Sequence, residues 1–392
     1  MFEDDFKKSS ELLDDLRADI ESTPTEWLTI ETEKFCQEKA IHNAILESIQ
    51  ILDGKQKTDK TKGSIPNILS DALSVSFDPN IGHDYIENAA ERYEFYHKTE
   101  KRIPFDLDYF NRITGGGIPQ KTLNIALAGT GVGKSLFMCH VAASSLSQNF
   151  NVLYITMEMS EERIAERIDA NLLNIKLEDL ANLPKDNYER KIARLKENIK
   201  GKLIIKEYPT ASAGATHFRN LLNELNLKKH FKPDIVFIDY LNICSSSRLK
   251  HGANVNSYSY IKAIAEELRG LAVEFNVPIF SATQTTRSGF SSSDPGLEDT
   301  SESFGLPATA DLMFALVTSE ELEGLNQIMV KQLKNRYNDL TLNKRFAVGI
   351  DRSKMKLFDI EQSAQKSIAD SGQEFDTPRQ NNNKSKFSKL KV

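Results

Sequence analysis

The sequence predicts an α/β fold: a mostly parallel sheet covered by helices on both faces, preceded by a small helical region. Three observations carry this. After Lys101, short apolar runs alternate with helical patterns. The runs are apolar throughout rather than at every second position, as strands buried on both faces require. One of them, LNIALA, leads into AGTGVGKS and then LFMCHVAASSL, the strand, loop and helix order of a phosphate-binding loop.

Taken in order, residues 1–22 carry Leu12, Leu13, Leu16 and Ile20 at helical spacing among many acids and predict an acidic amphipathic helix. Residues 23–100 predict a helical linker. Apolar positions from Trp27 to Leu52 recur at helical spacing until Asp53-Gly54 and the polar stretch KQKTDKTKG, which reads as an exposed loop. Ile65-Pro66 then opens a second short helix, NILSDALSVSF, ended by Asp78-Pro79-Asn80. These helices bury little apolar surface alone, so their faces are expected to dock on the larger domain or on a neighbouring subunit. Residues 101–360 form that larger domain, with strands expected at 123–128, 152–157, 203–205, 235–238 and 278–282 and helices at 136–147 and 260–275. Residues 361–392 are polar and end in NNNKSKFSKLKV, which reads as a disordered tail or a basic docking peptide.

Composition narrows the class. With 392 residues, 40% apolar and 27% charged, the chain is long enough for a sizeable core and excludes collagen-like, wholly disordered and membrane-bundle classes. No run reaches the ~18 apolar residues of a spanning helix, and the acidic start does not resemble a signal peptide, so neither membrane insertion nor export is expected. Cys36, Cys139 and Cys244 lack paired spacing, which argues for a reducing compartment. The net charge of −6 does not advertise a nucleic-acid binder, but whole-chain charge is blind to basic groups gathered on one surface.

The chemistry concentrates at residues 128–135: Ala128, Gly129, Thr130, Gly131, Val132, Gly133, Lys134 and Ser135. Glycines let the backbone turn its N–H groups around a triphosphate at the positive end of the following helix. Lys134 can then reach the β- and γ-phosphates, and the Ser135 hydroxyl can ligate Mg²⁺, a glycine-rich turn with an accidental lysine being the alternative. Ala128 departs from the usual first glycine. Asp239 ends the run IVFID, where a strand delivers a metal-holding carboxylate to the sheet edge, and Glu158 ends VLYITME, where it could polarise an attacking water. For each, the alternative is a helix cap or a surface carboxylate. Gln284 follows PIFSAT and could sense the γ-phosphate, a polar loop residue being the alternative.

The order AGTGVGKS, YITMEMS, IVFIDYL, PIFSATQ and VKQLKNRYND resembles the motif series of the DnaB-type hexameric replicative helicases, whose core is RecA-like. Ala128 is also seen in that family. KRIPFDLDYFNRITGGGIP looks like the lead-in to its core, and ETEKFCQEKA, ALSVSFD, KAIAEELR and GLPATAD look like its T-even bacteriophage branch. The resemblance covers about residues 27–358. It makes residues 1–22 a remnant of the family's N-terminal domain and 101–360 a RecA-like P-loop motor.

The resemblance implies Lys134 and Ser135 on nucleotide and Mg²⁺, Glu158 as base, Asp239 as a direct or indirect Mg²⁺ acid and Gln284 as γ-phosphate sensor. Lys334 and Arg336 match the pair that reaches a neighbouring subunit's nucleotide; bare sequence would make KNR a solvated cluster. Following the runs that end at Asp239 and Gln284, two polar loops carry Arg248, Lys250 and Arg287. Loops in these places line the family's central channel, where phosphates dominate affinity for single strands; on bare sequence each is as readily an ordinary exposed loop. The implied protein is a homo-hexameric, ATP- or GTP-driven helicase moving 5′ to 3′ on single-stranded DNA in the host bacterial cytoplasm. It would work with a phage primase, a helicase loader and a single-strand-binding protein. Two other readings stay open: a RecA-type DNA-binding ATPase that does not unwind, and a nucleotide-binding structural ring subunit.

Overall fold

The computed structural model describes residues 25–53, 62–77, 84–97, 100–249, 256–285, 296, 305–361 and 365. The chain divides into two compact units, Met1–Thr99 and Glu100–Val392. The predicted helix of residues 1–22 and nearly all of the predicted tail lie outside the described residues.

In the first unit, α1 (Thr25–Asp53), α2 (Ile65–Leu73) and α3 (Ala89–His97) follow the helical spacing. The α2 helix ends four residues earlier than its sequence pattern predicts. The backbone N–H of Ser74 closes on Ser70 and Asp71, and α1 then captures the chain: Gln37 donates to the Val75 carbonyl, and Glu33 accepts from the Phe77 N–H. Bonds to another helix thus replace the next turn. Only Ala44, Ser48, Ile51 and Ala72 are buried among the described residues of this unit, while Leu28, Phe35, Ile45 and Tyr93 stay exposed.

The second unit contains β1 (Arg102–Ile103), α4 (Asp108–Thr114), β2 (Ile118–Pro119), β3 (Leu123–Ala128), α5 (Lys134–Ser147) and β4 (Val152–Thr156). Next come α6 (Glu161–Leu173), α7 (Leu177–Leu180), α8 (Lys185–Asn198), β5 (Leu203–Glu207), α9 (Ala215–Lys229) and β6 (Ile235–Asp239). It continues with α10 (Ser257–Glu274), β7 (Ile279–Gln284), α11 (Gly305–Thr309), β8 (Leu312–Val317) and α12 (Glu320–Gly324). Three strands finish it: β9 (Gln327–Asn335), β10 (Arg345–Asp351) and β11 (Lys356–Phe358).

Nine of these strands form one sheet in the order β11-β10-β9-β8-β3-β7-β6-β4-β5. From β8 to β5 all neighbours are parallel; β9, β10 and β11 add an antiparallel flank. The sheet has two buried faces, which explains the unbroken apolar runs. In β3, Ala126 and Ala128 face one cluster with α5, while Leu123, Ile125 and Leu127 face the other with α10. The first cluster is anchored by Phe110, Phe137, Phe280, Phe314 and Phe346, whose rings meet at centroid distances of 5.2 to 6.1 Å. Helix α5 is buried nearly along its whole length, so it sits inside the molecule directly behind the loop that precedes it.

Candidate functional site

Parallel strands bring their C-terminal ends to one edge of the sheet, and β3, β4, β6 and β7 do so here. The register pairs Ala128 with Gln284 and Thr156 with Asp239, so the phosphate loop, Gln284, Asp239 and Glu158 come together at that edge. The Met157 N–H donates to the Asp239 carbonyl at 2.9 Å, which fixes the chain next to Glu158. Gly131 and Gly133 have φ of 78° and 127°, a region L side chains rarely occupy, so the loop's path requires glycine at both. Helix α5 begins at Lys134, and its N-terminal N–H groups lie beside Gly131–Gly133 as an anion site needs.

The edge is electrostatically tense. Burial pushes the Lys134 ammonium below its ordinary range, opposed by Glu158 and Asp239. Burial pushes the Asp239 carboxyl up, and Glu158 adds to this; the Tyr154 and Ser135 hydroxyls and Lys134 oppose it. Tyr154 donates to Asp239 Oδ2 at 2.9 Å, while Asp239 Oδ1 is buried without a hydrogen-bond partner among the described residues. That orphaned oxygen beside Ser135 fits Mg²⁺ arriving with a triphosphate, because Mg²⁺ needs only one or two carboxylates plus phosphate oxygens and water. Among the described residues no cluster of His, Cys, Asp and Glu forms an all-protein metal cage.

Three residues at this edge went unread in the sequence. Tyr240 lies with its ring centroid 5.6 Å from Lys134 Nζ, and its hydroxyl accepts from Gln284 Nε2 at 3.3 Å. Tyr154 interrupts an aliphatic run, the one sequence signal of a polar bond inside the sheet. Arg352, in the β10–β11 turn, donates to the carbonyls of Gly131 and Val132 at 3.3 and 3.4 Å.

Lys334 and Arg336 lie at the opposite edge. Strand β9 runs antiparallel to β8, pairing Asn335 with Leu312, and Leu312 pairs with Asn124 at the start of β3. The length of β3, about 17 Å at 3.3 Å per residue, therefore separates the pair from its own phosphate loop. There Arg336 Nη1 donates to Asp311 Oδ1 at 2.8 Å, and Lys334 Nζ donates to the carbonyls of Pro307 and Ala308 at 2.5 and 2.8 Å.

Of the residues predicted to meet a nucleic-acid strand, Lys250 and Arg287 lie outside the described residues. Arg248 is held by α10: it contacts Glu266 at 2.8 Å, Glu267 at 3.4 Å and the Ala263 carbonyl at 2.9 Å. Its charge is thus already shared with two carboxylates. No helix among the described residues is long and apolar enough to cross a membrane.

Comparisons with known proteins bear on the family and the fold. The DnaB-like helicase C-terminal domain family matches residues 103–357. A DnaB-like replicative helicase of Enterobacteria phage T4 is 43% identical over 348 residues, 86% of this chain and 73% of the relative. The replicative DNA helicase DnaB of Helicobacter pylori is 30% identical over 204 residues, 51% of this chain and 40% of that one. Among solved structures, a DnaB-like replicative helicase described with its interactions with primase has a TM-score of 0.61 at 18% identity, covering 90% of this chain and 83% of its own. A second solved structure, an isolated ATPase domain, has a TM-score of 0.58 at 19% identity, covering 71% of this chain and 100% of its own. At those identities the structures speak for the fold, a RecA-like helicase core.

Proposed function

The chain belongs to the DnaB-like helicases, and from that premise we propose how its residues divide the work of a nucleotide-driven motor. It is a replicative DNA helicase, an enzyme that couples nucleoside triphosphate hydrolysis to strand separation. The finer reading is a homo-hexameric ring that uses ATP or GTP with Mg²⁺ and moves 5′ to 3′ on single-stranded DNA in the host bacterial cytoplasm. A primase is its first partner, which the primase interactions of the solved DnaB-like relative support. A helicase loader and a single-strand-binding protein are further ones. Residues 101–360 are assigned to the motor and 23–100 to subunit docking.

Within the motor, backbone N–H groups from Gly129 to Ser135 and the Lys134 ammonium hold the phosphates. Ser135 and Asp239 would hold Mg²⁺, which when bound neutralises charge on the β- and γ-oxygens. Glu158 accepts the proton of the attacking water, and Gln284, steadied by Tyr240, reads the γ-phosphate. Lys334 and Arg336 act on the neighbour's nucleotide. Arg248, Lys250 and Arg287 follow the strand's phosphates in the central channel.

One observation carries this reading: the phosphate loop and its acids occupy one edge of the sheet, and the Lys334/Arg336 pair occupies the other. A guanidinium that far from its own loop serves a nucleotide only across a subunit boundary. Arg336→Ala and Lys134→Ala proteins, each nearly inactive alone, should therefore regain partial DNA-stimulated hydrolysis when mixed before ring assembly. Mixed rings with no activity beyond the sum of the two would remove Arg336 from the neighbour's site. The non-unwinding ATPase and the structural subunit are not favoured, because the long match is to a replicative helicase.

A further inference from the structure

We infer that Asp311 is the positioning residue of the trans-acting pair: a buried carboxylate that fixes the Arg336 guanidinium at the subunit edge, with Arg269 locking the carboxylate in turn. The inference rests on the reading of Arg336 as a finger for the neighbour's nucleotide. Asp311 immediately precedes β8, and its side chain is only 5% exposed, whereas those of Arg336 and Arg269 are 46% and 39% exposed. Four side-chain bonds converge on it. Oδ2 accepts from the Leu123 backbone N–H at 3.0 Å and from Arg269 Nε at 3.1 Å. Oδ1 accepts from Arg269 Nη2 at 3.1 Å and from Arg336 Nη1 at 2.8 Å. The Arg336 backbone N–H also donates to the Asp311 carbonyl at 3.0 Å, which fixes where the side chain starts.

Charge explains why such a hub is needed. Arg269, Lys334 and Arg336 put three cations at one edge, and repulsion alone would splay the long side chains into solvent. The Lys334 ammonium registers the crowding: burial first, then Arg336 and Arg269, push it below its ordinary range, and Asp311 opposes them. A carboxylate gripped by a strand N–H and by Arg269 has little freedom left, so the bond to Arg336 has a fixed origin. Arg336 uses Nη1 on Asp311 and Nη2 on the Ala308 carbonyl, two of the five N–H donors of a guanidinium. Donors therefore remain for phosphate oxygens. Holding a charged group in place before the reaction is what makes it effective on developing charge, and misplacement by about 1 Å can cost on the order of 100-fold.

The test uses the full-length chain, with ATP as nucleotide and single-stranded DNA as activator. Asp311→Asn keeps an acceptor for the Leu123 N–H and removes the charge. It should bind nucleotide with unchanged KM and turn it over about 10- to 100-fold more slowly. Mixed with Lys134→Ala subunits, it should regain activity, because an intact phosphate loop then meets an intact finger. Mixed with Arg336→Ala subunits it should regain none, because both proteins then lack a working finger and both have sound loops. Recovery in that second mixture would place the Asp311 defect on its own loop side and overturn the proposal, as would undiminished turnover of Asp311→Asn. Asp311→Glu, which keeps the charge and displaces it by one methylene, covers the case in which the asparagine variant does not fold, and it should fall in the same complementation group. If Arg336→Ala and Lys134→Ala themselves fail to complement, the finger reading fails, whatever Asp311 does.

Discussion

The two edges of the sheet handle charge in opposite ways. At the phosphate-loop edge, Lys134 and Asp239 are both displaced from their ordinary pKa ranges by burial, and one oxygen of Asp239 is unpartnered among the described residues. At the Arg336 edge, the buried carboxylate of Asp311 is saturated by two guanidinium groups and a backbone N–H. The first edge is arranged for a ligand that brings its own charge; the second is complete and presents a fixed cation outward. A ring that joins the first edge of one subunit to the second edge of the next would satisfy both, which gives the division of labour a physical reason.

The strongest way to break that comparison is to remove the outward cation. Arg336→Ala should bind nucleotide normally and lose about 10³-fold or more in DNA-stimulated turnover, the scale known for arginine fingers. Weakened nucleotide binding by the isolated subunit, measured by fluorescence titration, would place Arg336 in its own site instead.

A somewhat smaller loss, about 10²- to 10⁴-fold, is expected for Glu158→Gln, because an isosteric amide cannot take the proton from water. Nucleotide affinity should be retained there and lost in Lys134→Ala. Equal loss of binding in both would move Glu158 from the reaction to the phosphates.

Stability measurements sharpen the contrast further. Asp239 has a raised folded-state pKa, so the folded state holds its proton to higher pH than the unfolded chain does. Stability is therefore lost as pH rises through that window, and the charged form is a burden at neutral pH. Asp239→Asn should melt on the order of 2 °C higher than the parent at about pH 7.5 without nucleotide, and the gain should shrink towards about pH 4. Asp311→Asn should melt lower than the parent, since it breaks a satisfied cluster. Calorimetry showing the same sign for both would erase the distinction between the edges.

The smallest effect concerns the strand. Lys250→Ala and Arg287→Ala should each flatten the salt dependence of single-strand binding by about 0.7 in log–log slope. Arg248→Ala should change it less, because Glu266 and Glu267 already share its charge. An equal change from all three would mean Arg248 leaves its carboxylates on binding.

Much of the parallel half of the sheet was legible. Strands β3, β4, β6 and β7 are apolar on both faces, so each stands out as a run and its C-terminal end points to the chemistry. The antiparallel flank was less so: β9 is covered on both faces but buries Lys331 and Gln332 among its apolar residues, and polar residues break the unbroken run that marks a buried strand. Helix α8 has no buried residue, and its short stripe of Tyr188, Ile192 and Leu195 is outnumbered by charged neighbours. At the site, Lys134, Ser135, Glu158, Asp239 and Gln284 announce themselves by ending or following apolar strands. Asp311 could not, since its partners Leu123, Arg269 and Arg336 are far away in sequence and only strand order brings them together. Tyr154 met Asp239 for the same reason, across 85 positions.

Strand β3 begins at Leu123, whose N–H is bonded to Asp311, and ends at Ala128, where the phosphate loop starts. It is hydrogen-bonded to β7 on one side and β8 on the other. A strand hydrogen-bonded along both flanks is stiffer than a free one, so displacement at one end is carried toward the other. In a closed ring each such strand would span the distance from one reaction centre to the next, and the set of them would form a continuous mechanical circuit. A subunit that tightens around its nucleotide would then tilt as a whole, moving its finger within the adjoining centre. Coupling between adjoining centres would then rest on the stiffness of a six-residue strand.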